Sequence, residues 1–262
     1  MNELLYLQVE TTNHCNAQCL FCPHYKLELK GFMAQELYEK IIIEASQLPN
    51  LMMFHPMLNG EPFLDKQLIP RLQFARSKLP DVEMEIYTNG SLLTDEIIYQ
   101  LKEIGNIRMS VSLNGLKPET RKAIMGLDDY WKIVQSLKLM ESLGIKYRTT
   151  MVAYPEISRE EVEAFVESGG TAIRYQSWAG TQYPYERRRW TQCPRAINQM
   201  TVLYTGDVCL CCFDPFGEVN FGNLNTESME EIWHSNRHKE YQNKHKQGRG
   251  EELPKCRACT EG

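Results

Sequence analysis

The sequence predicts an α/β protein: a parallel sheet wrapped by helices over most of the chain, followed by a small cysteine-rich α+β region. Two observations carry this. Between the two groups of cysteines the chain reads as strand-then-helix units, six in all, which is the pattern of a parallel sheet with helical crossovers. The nine cysteines are themselves segregated: three lie at 15 to 22, none between 23 and 192, and six at 193 to 259. A chain of 262 residues can bury one barrel-sized core and still carry a small appendage.

In chain order, Leu4 to Val9 is a first strand that runs straight into the cysteine loop. Ala34 to Ala45 has apolar residues at helical spacing (Leu37, Ile41, Ile42), and Leu51 to Met57 is a Met-rich second strand in which Met53, His55 and Met57 share a face. Packing accounts for the methionines; His55 is a candidate for either an interior partner or a substrate. Gln67 to Leu79 is helical, and Val82 to Tyr87 is the third strand. Thr94 caps a helix to Ile104, with Asp95 and Glu96 in its first turn facing the positive end of the dipole. Ile107 to Leu113 is the fourth strand. Helices follow over Pro118 to Met125 and Tyr130 to Leu143, ended by Gly144, and Tyr147 to Ala153 is the fifth strand. Ser158 with Glu161 forms a capping box, and Ala172 to Gln176 is the sixth strand. The texture then changes, which puts a domain boundary near 184 and predicts domains at 1–184 and 185–262. Thr201 to Leu203 and Asp207 to Leu210 read as a hairpin, and Ser228 to Lys246 as one helix capped by Ser228 and Glu231.

Composition excludes several classes. Hydrophobic residues at 42% and charged residues at 24% are globular values. No apolar run approaches the roughly eighteen residues of a membrane span, and no secretory signal begins the chain, so a soluble, cytoplasmic protein is expected. A formal net charge of −5 gives no general attraction to nucleic acid. In a reducing compartment, nine cysteines point to metal ligation rather than disulfides.

Cys15, Cys19 and Cys22 are separated by three and then two residues. Three thiolates on a short loop can hold three irons of a [4Fe-4S] cluster and leave the fourth open to a small-molecule ligand; the same density of thiols also suits a zinc knot. Three turn-like segments follow at the ends of strands two, three and four: Asn59-Gly60-Glu61-Pro62, Thr88-Asn89-Gly90 and Ser112-Leu113-Asn114. In a parallel barrel those strand ends carry the chemistry.

The CxxxCxxC loop and these three motifs, in this order, resemble the radical S-adenosylmethionine (SAM) enzymes. The resemblance implies a partial (β/α)6 TIM-like barrel. It implies that the Cys15/Cys19/Cys22 cluster binds SAM and cleaves it reductively to a 5'-deoxyadenosyl radical, with Phe21 beside the adenine. Asn59, Gly60 and Glu61 match the family's GGEP motif, with Asn in place of the first Gly, and Glu61 would accept from the SAM ammonium. Thr88 and Asn89 match a TNG motif, while Ser112 and Asn114 would reach the SAM ribose or carboxylate, Asn114 standing where Asp is usual. Cys193, Gly206, Cys211 and Cys256-Arg257-Ala258-Cys259, with Gly222-Asn223-Leu224 and Glu231-Ile232-Trp233, resemble the twitch form of the SPASM domain. That implies a second, auxiliary [4Fe-4S] cluster on Cys193, Cys211, Cys256 and Cys259, with a four-cysteine zinc site as the rival. Cys209 and Cys212 are left over: Cys212 ranks second to Cys211 as a ligand, and either is otherwise a buried apolar residue or a hydrogen-atom donor.

The implied function is a SAM-dependent oxidation of a small polar substrate such as a sugar or aminocyclitol, fed by a flavodoxin- or ferredoxin-type reductant. The small substrate is favoured because strand one begins at once, leaving no room before it for a leader-peptide-binding domain. A peptide-modifying enzyme is the alternative within the class; outside it stand a zinc-binding scaffold and an iron-sulfur electron carrier. Arg187-Arg188-Arg189, after Tyr183-Pro184-Tyr185, is a solvated run or a grip on a substrate anion. The basic run His234 to Arg249 is read as a packed helix with a wet face.

Overall fold

The computed structural model describes residues 1, 3–181 and 192–260. Five strand–helix units and a sixth strand run in order: β1 (Tyr6–Val9), α1 (Gln35–Ala45), β2 (Met53–His55), α2 (Leu68–Lys78), β3 (Glu83–Thr88), α3 (Asp95–Ile104), β4 (Ile107–Ser112), α4 (Pro118–Met125), α5 (Tyr130–Ser142), β5 (Lys146–Ala153), α6 (Arg159–Glu167) and β6 (Thr171–Arg174). After them come α7 (Pro194–Asn198), β7 (Gln199–Val202), β8 (Asp207–Cys209), β9 (Asn220–Asn223), α8 (Met229–His234), α9 (Asn236–Lys246) and α10 (Pro254–Arg257).

Alternation along the strands places the core. Leu7, Phe54, Met84, Ile86, Met109, Val111 and Met151 are fully buried on the helix side, against residues such as Ile41, Leu72, Ile98 and Ile133. Their neighbours on the strands, Gln8, His55, Glu85, Tyr87, Ser110, Arg148 and Thr150, face the other way, so the inside of the curved sheet is polar. Chain punctuation acts as the sequence predicts: Thr94 Oγ1 accepts from Ile97 N, and Gly144, at φ 67°, follows the end of α5.

Among the described residues one sheet holds all nine strands, in the order β6-β5-β4-β3-β2-β1-β7-β8-β9. The cysteine-rich region is therefore built onto the barrel sheet: β7 pairs in parallel with β1, Gln8 opposite Thr201, and the β7–β8 hairpin and β9 continue it antiparallel. The boundary predicted near 184 lies outside the described residues, as do Tyr183, Tyr185 and Arg187-Arg188-Arg189. Three local expectations change. The second strand is only Met53–His55. The helix expected over 228–246 is two helices, because Ser235 leaves the helical path and caps α9 through His238 N. Ser228 and Glu231 form a complete capping box, but at Ser158 the box is half made: Glu161 turns its carboxylate to Leu116 N (2.8 Å) and Thr120 Oγ1 (2.9 Å).

Candidate functional site

The cysteine loop is pinned at its base and along its length. Thr12 Oγ1 donates to Gly31 O (2.9 Å), and the Asn13 side chain bonds Gly31 N and Leu29 O (both 2.8 Å), closing the neck. Further along, Gln18 N and Leu20 N donate to Met125 O (2.8 Å) and Ile124 O (3.0 Å) at the end of α4, and Cys22 N to Cys19 O (3.1 Å) makes the final turn. The three cysteines are partly buried on this loop. Burial pushes the thiols of Cys15, Cys19 and Cys22 up, Cys22 to about 11, and the Cys15 and Cys22 sulfurs add to the effect at Cys19 while Arg121 opposes it. Metal binding would replace those protons.

The GEP and TNG turns close on this loop. Gly60 has backbone on three sides: a Cβ there would fall 2.3 Å from Thr12 O and 2.6 Å from His14 O, and Glu61 N donates to His14 O (2.8 Å). No other residue fits so close an approach. Glu61 is buried and accepts from Thr88 Oγ1 and Asn89 N (each 2.7 Å) and from Phe63 N (3.3 Å). Desolvation holds its carboxyl up at about 7 against those bonds. Both oxygens are thus engaged, so an ammonium would share them. Asn89 Nδ2 reaches Asn16 on the cysteine loop (2.8 Å). Asn59 replaces the first Gly of the motif without strain: its N donates to buried Glu10 (3.1 Å) and its side chain to Pro215 O (2.9 Å).

Asn114 is held by its protein neighbours. At φ 50°, its Oδ1 accepts from Val152 N (2.7 Å) and its Nδ2 faces the Met125 sulfur, so its amide locks β5 onto the end of β4. The Ser112 carbonyl accepts from Arg121 (2.8 Å). Arg121, wholly buried, and Glu10 were not singled out in the sequence. The only signal was an Arg three and four residues before Ile124 and Met125, on the apolar face of a short helix.

A cavity of about 520 Å³ fills the polar interior of the sheet. Phe21 borders it at the cysteine-loop end, with its ring 6.1 Å from Tyr154 and its carbonyl accepting from Trp178 Nε1 (3.0 Å). Gln8, His55, Met57, Tyr87, Arg148 and Thr150 line its wall. Arg148 donates to Tyr87 Oη (2.8 Å) and Ser110 Oγ (3.1 Å) and sits 2.8 Å from Glu85 Oε1, at ion-pair distance but not aligned as a hydrogen bond. His55 lies 3.8 Å from Glu85, yet burial, with help from the Arg148 charge, lowers it to about 4 and keeps it neutral.

Cys193, Cys211, Cys256 and Cys259 border one small cavity of about 20 Å³, with Arg195, Lys255 and His245 beside them. All four thiols are buried. Burial and then the neighbouring Cys193 and Cys259 sulfurs push Cys256 up to about 12. Such a ring of close thiols with two cations at its rim suits an anionic metal–sulfur group. Cys209 is not on this cavity: it is a core residue whose Sγ faces Cys211 O. Cys212 borders the large cavity instead. Among the described residues, no three His, Cys, Asp or Glu side chains are gathered tightly enough to hold a single metal ion; the four thiols ring a space.

The radical SAM superfamily model matches residues 9–168, and that of the iron-sulfur cluster-binding SPASM domain matches 193–260. A GTP 3',8-cyclase of Nautilia profundicola is 27% identical over 188 residues, covering 69% of this chain and 58% of its own. Against further GTP 3',8-cyclases the chain spans about half of their length. An S-adenosyl-L-methionine-dependent 2-deoxy-scyllo-inosamine dehydrogenase of Niallia circulans is 23% identical over 261 residues, covering 97% of this chain and 92% of its own. In fold, the chain is similar to BtrN in complex with AdoMet and 2-DOIA (TM-score 0.69, 18% identity, 100% and 95% covered) and to Streptococcus suis SuiB bound to precursor peptide SuiA (TM-score 0.71, 16% identity, 90% and 66% covered). With its cysteine loop, the turns packed on it and these matches, the chain belongs to the radical SAM superfamily, with the SAM and [4Fe-4S] cluster that membership entails, and carries an iron-sulfur cluster-binding SPASM domain.

Proposed function

We propose that this protein is a radical SAM oxidoreductase that oxidises a small polar molecule, such as a sugar or aminocyclitol, at an alcohol or amine carbon. The observation that carries the reading is the cavity of about 520 Å³: it runs from Phe21 on the cysteine loop to Phe213, Arg195 and Cys212 on the SPASM side, and into its largely apolar wall are set the polar side chains of Gln8, His55, Tyr87, Arg148 and Thr150. The match to the 2-deoxy-scyllo-inosamine dehydrogenase along nearly the whole of both chains supports it.

In this reading Cys15, Cys19 and Cys22 hold the SAM-binding cluster, and Cys193, Cys211, Cys256 and Cys259 hold the second. When bound, the first cluster with SAM supplies hydrogen-atom abstraction, using an electron from a flavodoxin- or ferredoxin-type reductant, and the second supplies a place for the electron the substrate gives up. The chain's residues position and shield. Phe21 offers a face to the adenine. Gly60, Glu61, Thr88 and Asn89 form a rigid shelf under the SAM amino acid end, with Ser112 nearby. His55, Tyr87, Arg148 and Gln8 present donors and acceptors to substrate hydroxyls and fix which carbon meets the radical. Among the described residues no helix is long and apolar enough to cross a membrane.

A peptide substrate is the second reading, favoured by the likeness to SuiB with its bound precursor peptide. The test is anaerobic purification, iron, sulfide and zinc analysis, then a 5'-deoxyadenosine assay with dithionite and a panel of aminocyclitols, sugars, GTP and peptides. Two clusters, about eight irons, and stimulation by a hydroxylated small molecule support the proposal. Stoichiometric zinc, or no SAM cleavage with both clusters present, overturns it. Replacing Cys15, Cys19 and Cys22 together with Ala should abolish SAM cleavage and leave the second cluster in place.

A further inference from the structure

Helix α9 buries a stripe of three polar residues, His238, Gln242 and His245. His238 is a satisfied core histidine: its Nδ1 is 3.0 Å from Trp233 O and its ring lies between Phe221 and Trp233. His245 differs. Its ring has no exposure, borders the four-cysteine cavity, and holds Nε2 3.3 Å from the Sγ of Cys256.

The ring is clamped in that pose. Gly250 packs on it so closely that a Cβ would fall 2.5 Å from Cε1 and 2.6 Å from Nδ1. The chain is brought back over the ring by bonds from Gly248 N to His245 O (3.0 Å) and from Arg249 N to Lys244 O (2.7 Å), which close the end of α9 with Gly248 at φ 70°. A nitrogen held this close to a buried sulfur has one chemical use when that sulfur is a thiolate: an N–H to S hydrogen bond. An imidazole carries at least one N–H to give, whether neutral or protonated.

We infer that His245 donates its Nε2–H to the Cys256 thiolate and thereby raises the reduction potential of the auxiliary cluster; this rests on the proposal that Cys193, Cys211, Cys256 and Cys259 hold that cluster. A hydrogen bond to a ligand sulfur withdraws electron density and stabilises the more negative, reduced state, so the potential moves up. A cluster tuned upward is a better acceptor for the electron of an oxidised substrate. His245 is a positioning residue, acting through Cys256.

The test uses protein with Cys15, Cys19 and Cys22 replaced by Ala, so that a single cluster remains, purified anaerobically. His245→Phe keeps a ring but no N–H; His245→Gln returns an N–H near the Nε2 position. Iron content and an EPR-monitored redox titration are read for each. The expected result is iron retained in both variants, a potential lowered in His245→Phe by about 59 mV, tenfold in the one-electron equilibrium, and a value near the parent's in His245→Gln. Iron lost from His245→Phe but kept at parental potential in His245→Gln also supports the hydrogen bond. An unchanged potential in His245→Phe with iron retained overturns the inference, and iron lost from both variants overturns it by making His245 a ligand. Zinc in place of iron in the parent overturns the cluster assignment itself, and the inference with it.

Discussion

Arg121 donates through Nη2 to the main-chain carbonyl of Asn89 across 2.8 Å, joining the turn after β3 to the helix after β4. The same guanidinium reaches Ser112 O (2.8 Å) and Leu113 O (3.2 Å) and pairs with Asp129 (2.6 Å). It therefore ties three turns together beneath the cysteine loop, which is itself bonded to Ile124 and Met125 of the same helix. Arg121→Met leaves Asp129 without its partner and three carbonyls without a donor, and should cost about 3–5 kcal/mol of stability. Arg121→Lys keeps the charge but not the fork, so it should recover only part. Chemical denaturation and SAM-binding titrations check this; wild-type stability and affinity in Arg121→Met would discard the role.

Gly60 and Asn59 should respond in opposite ways. Gly60→Ala forces a methyl into the Thr12 and His14 carbonyls, and should lower stability by about 1–3 kcal/mol and weaken SAM binding at least tenfold. Asn59→Gly removes only a side-chain bond to Pro215 O and should cost about 1 kcal/mol, with SAM affinity kept. Isothermal titration with SAM on the iron-loaded protein distinguishes them; equal losses in both would mean that the close approach at Gly60 is not what matters.

His55 should make the protein acid-sensitive. Its folded value of about 4 lies below the 6.5 of an unconstrained histidine, so between those values the unfolded chain takes up a proton that the native site refuses. Stability is complete above pH 6.5 and falls as pH drops toward 4, by up to about 3 kcal/mol. Urea unfolding of wild type and His55→Asn at pH 7 and pH 4.5 should show the smaller pH loss in the variant. Parallel curves would show that the native site accepts the proton after all.

Cys256→Ala with Cys259→Ala should remove one cluster, keep 5'-deoxyadenosine formation, and abolish the oxidised product. That outcome fits a second cluster that carries the substrate's electron away. Product formed at the wild-type rate would make the cluster structural and shift the proposal toward a redox-neutral rearrangement or epimerisation.

Short-range chemistry was legible in the sequence because neighbouring residues decide it. The Thr94 cap and the alternation of strands with helices follow from spacing over a few residues, and the CxxxCxxC loop points to iron ligation once it is read with the three turn motifs at the strand ends. On a continued strand Cys209 and Cys211 would share a face, but β8 ends at Cys209. Beyond that point the period of two no longer applies, and only the tertiary path sends Cys211 to the small cavity and Cys212 to the large one. The position of Asn114 in a motif was visible in the sequence, whereas the Val152 N–H that it accepts comes from another strand. The parallel pairing of β1 with β7 joins residues about 190 apart, and His245 meets Cys256 only after α9 and the turn at Gly250 fold back. The sequence alone thus determined the kinds of ligand and the unit they sit on. Which thiols share a cavity, and which buried charge holds the turns together, was decided by contacts between distant segments, where burial rather than local propensity selects the partner.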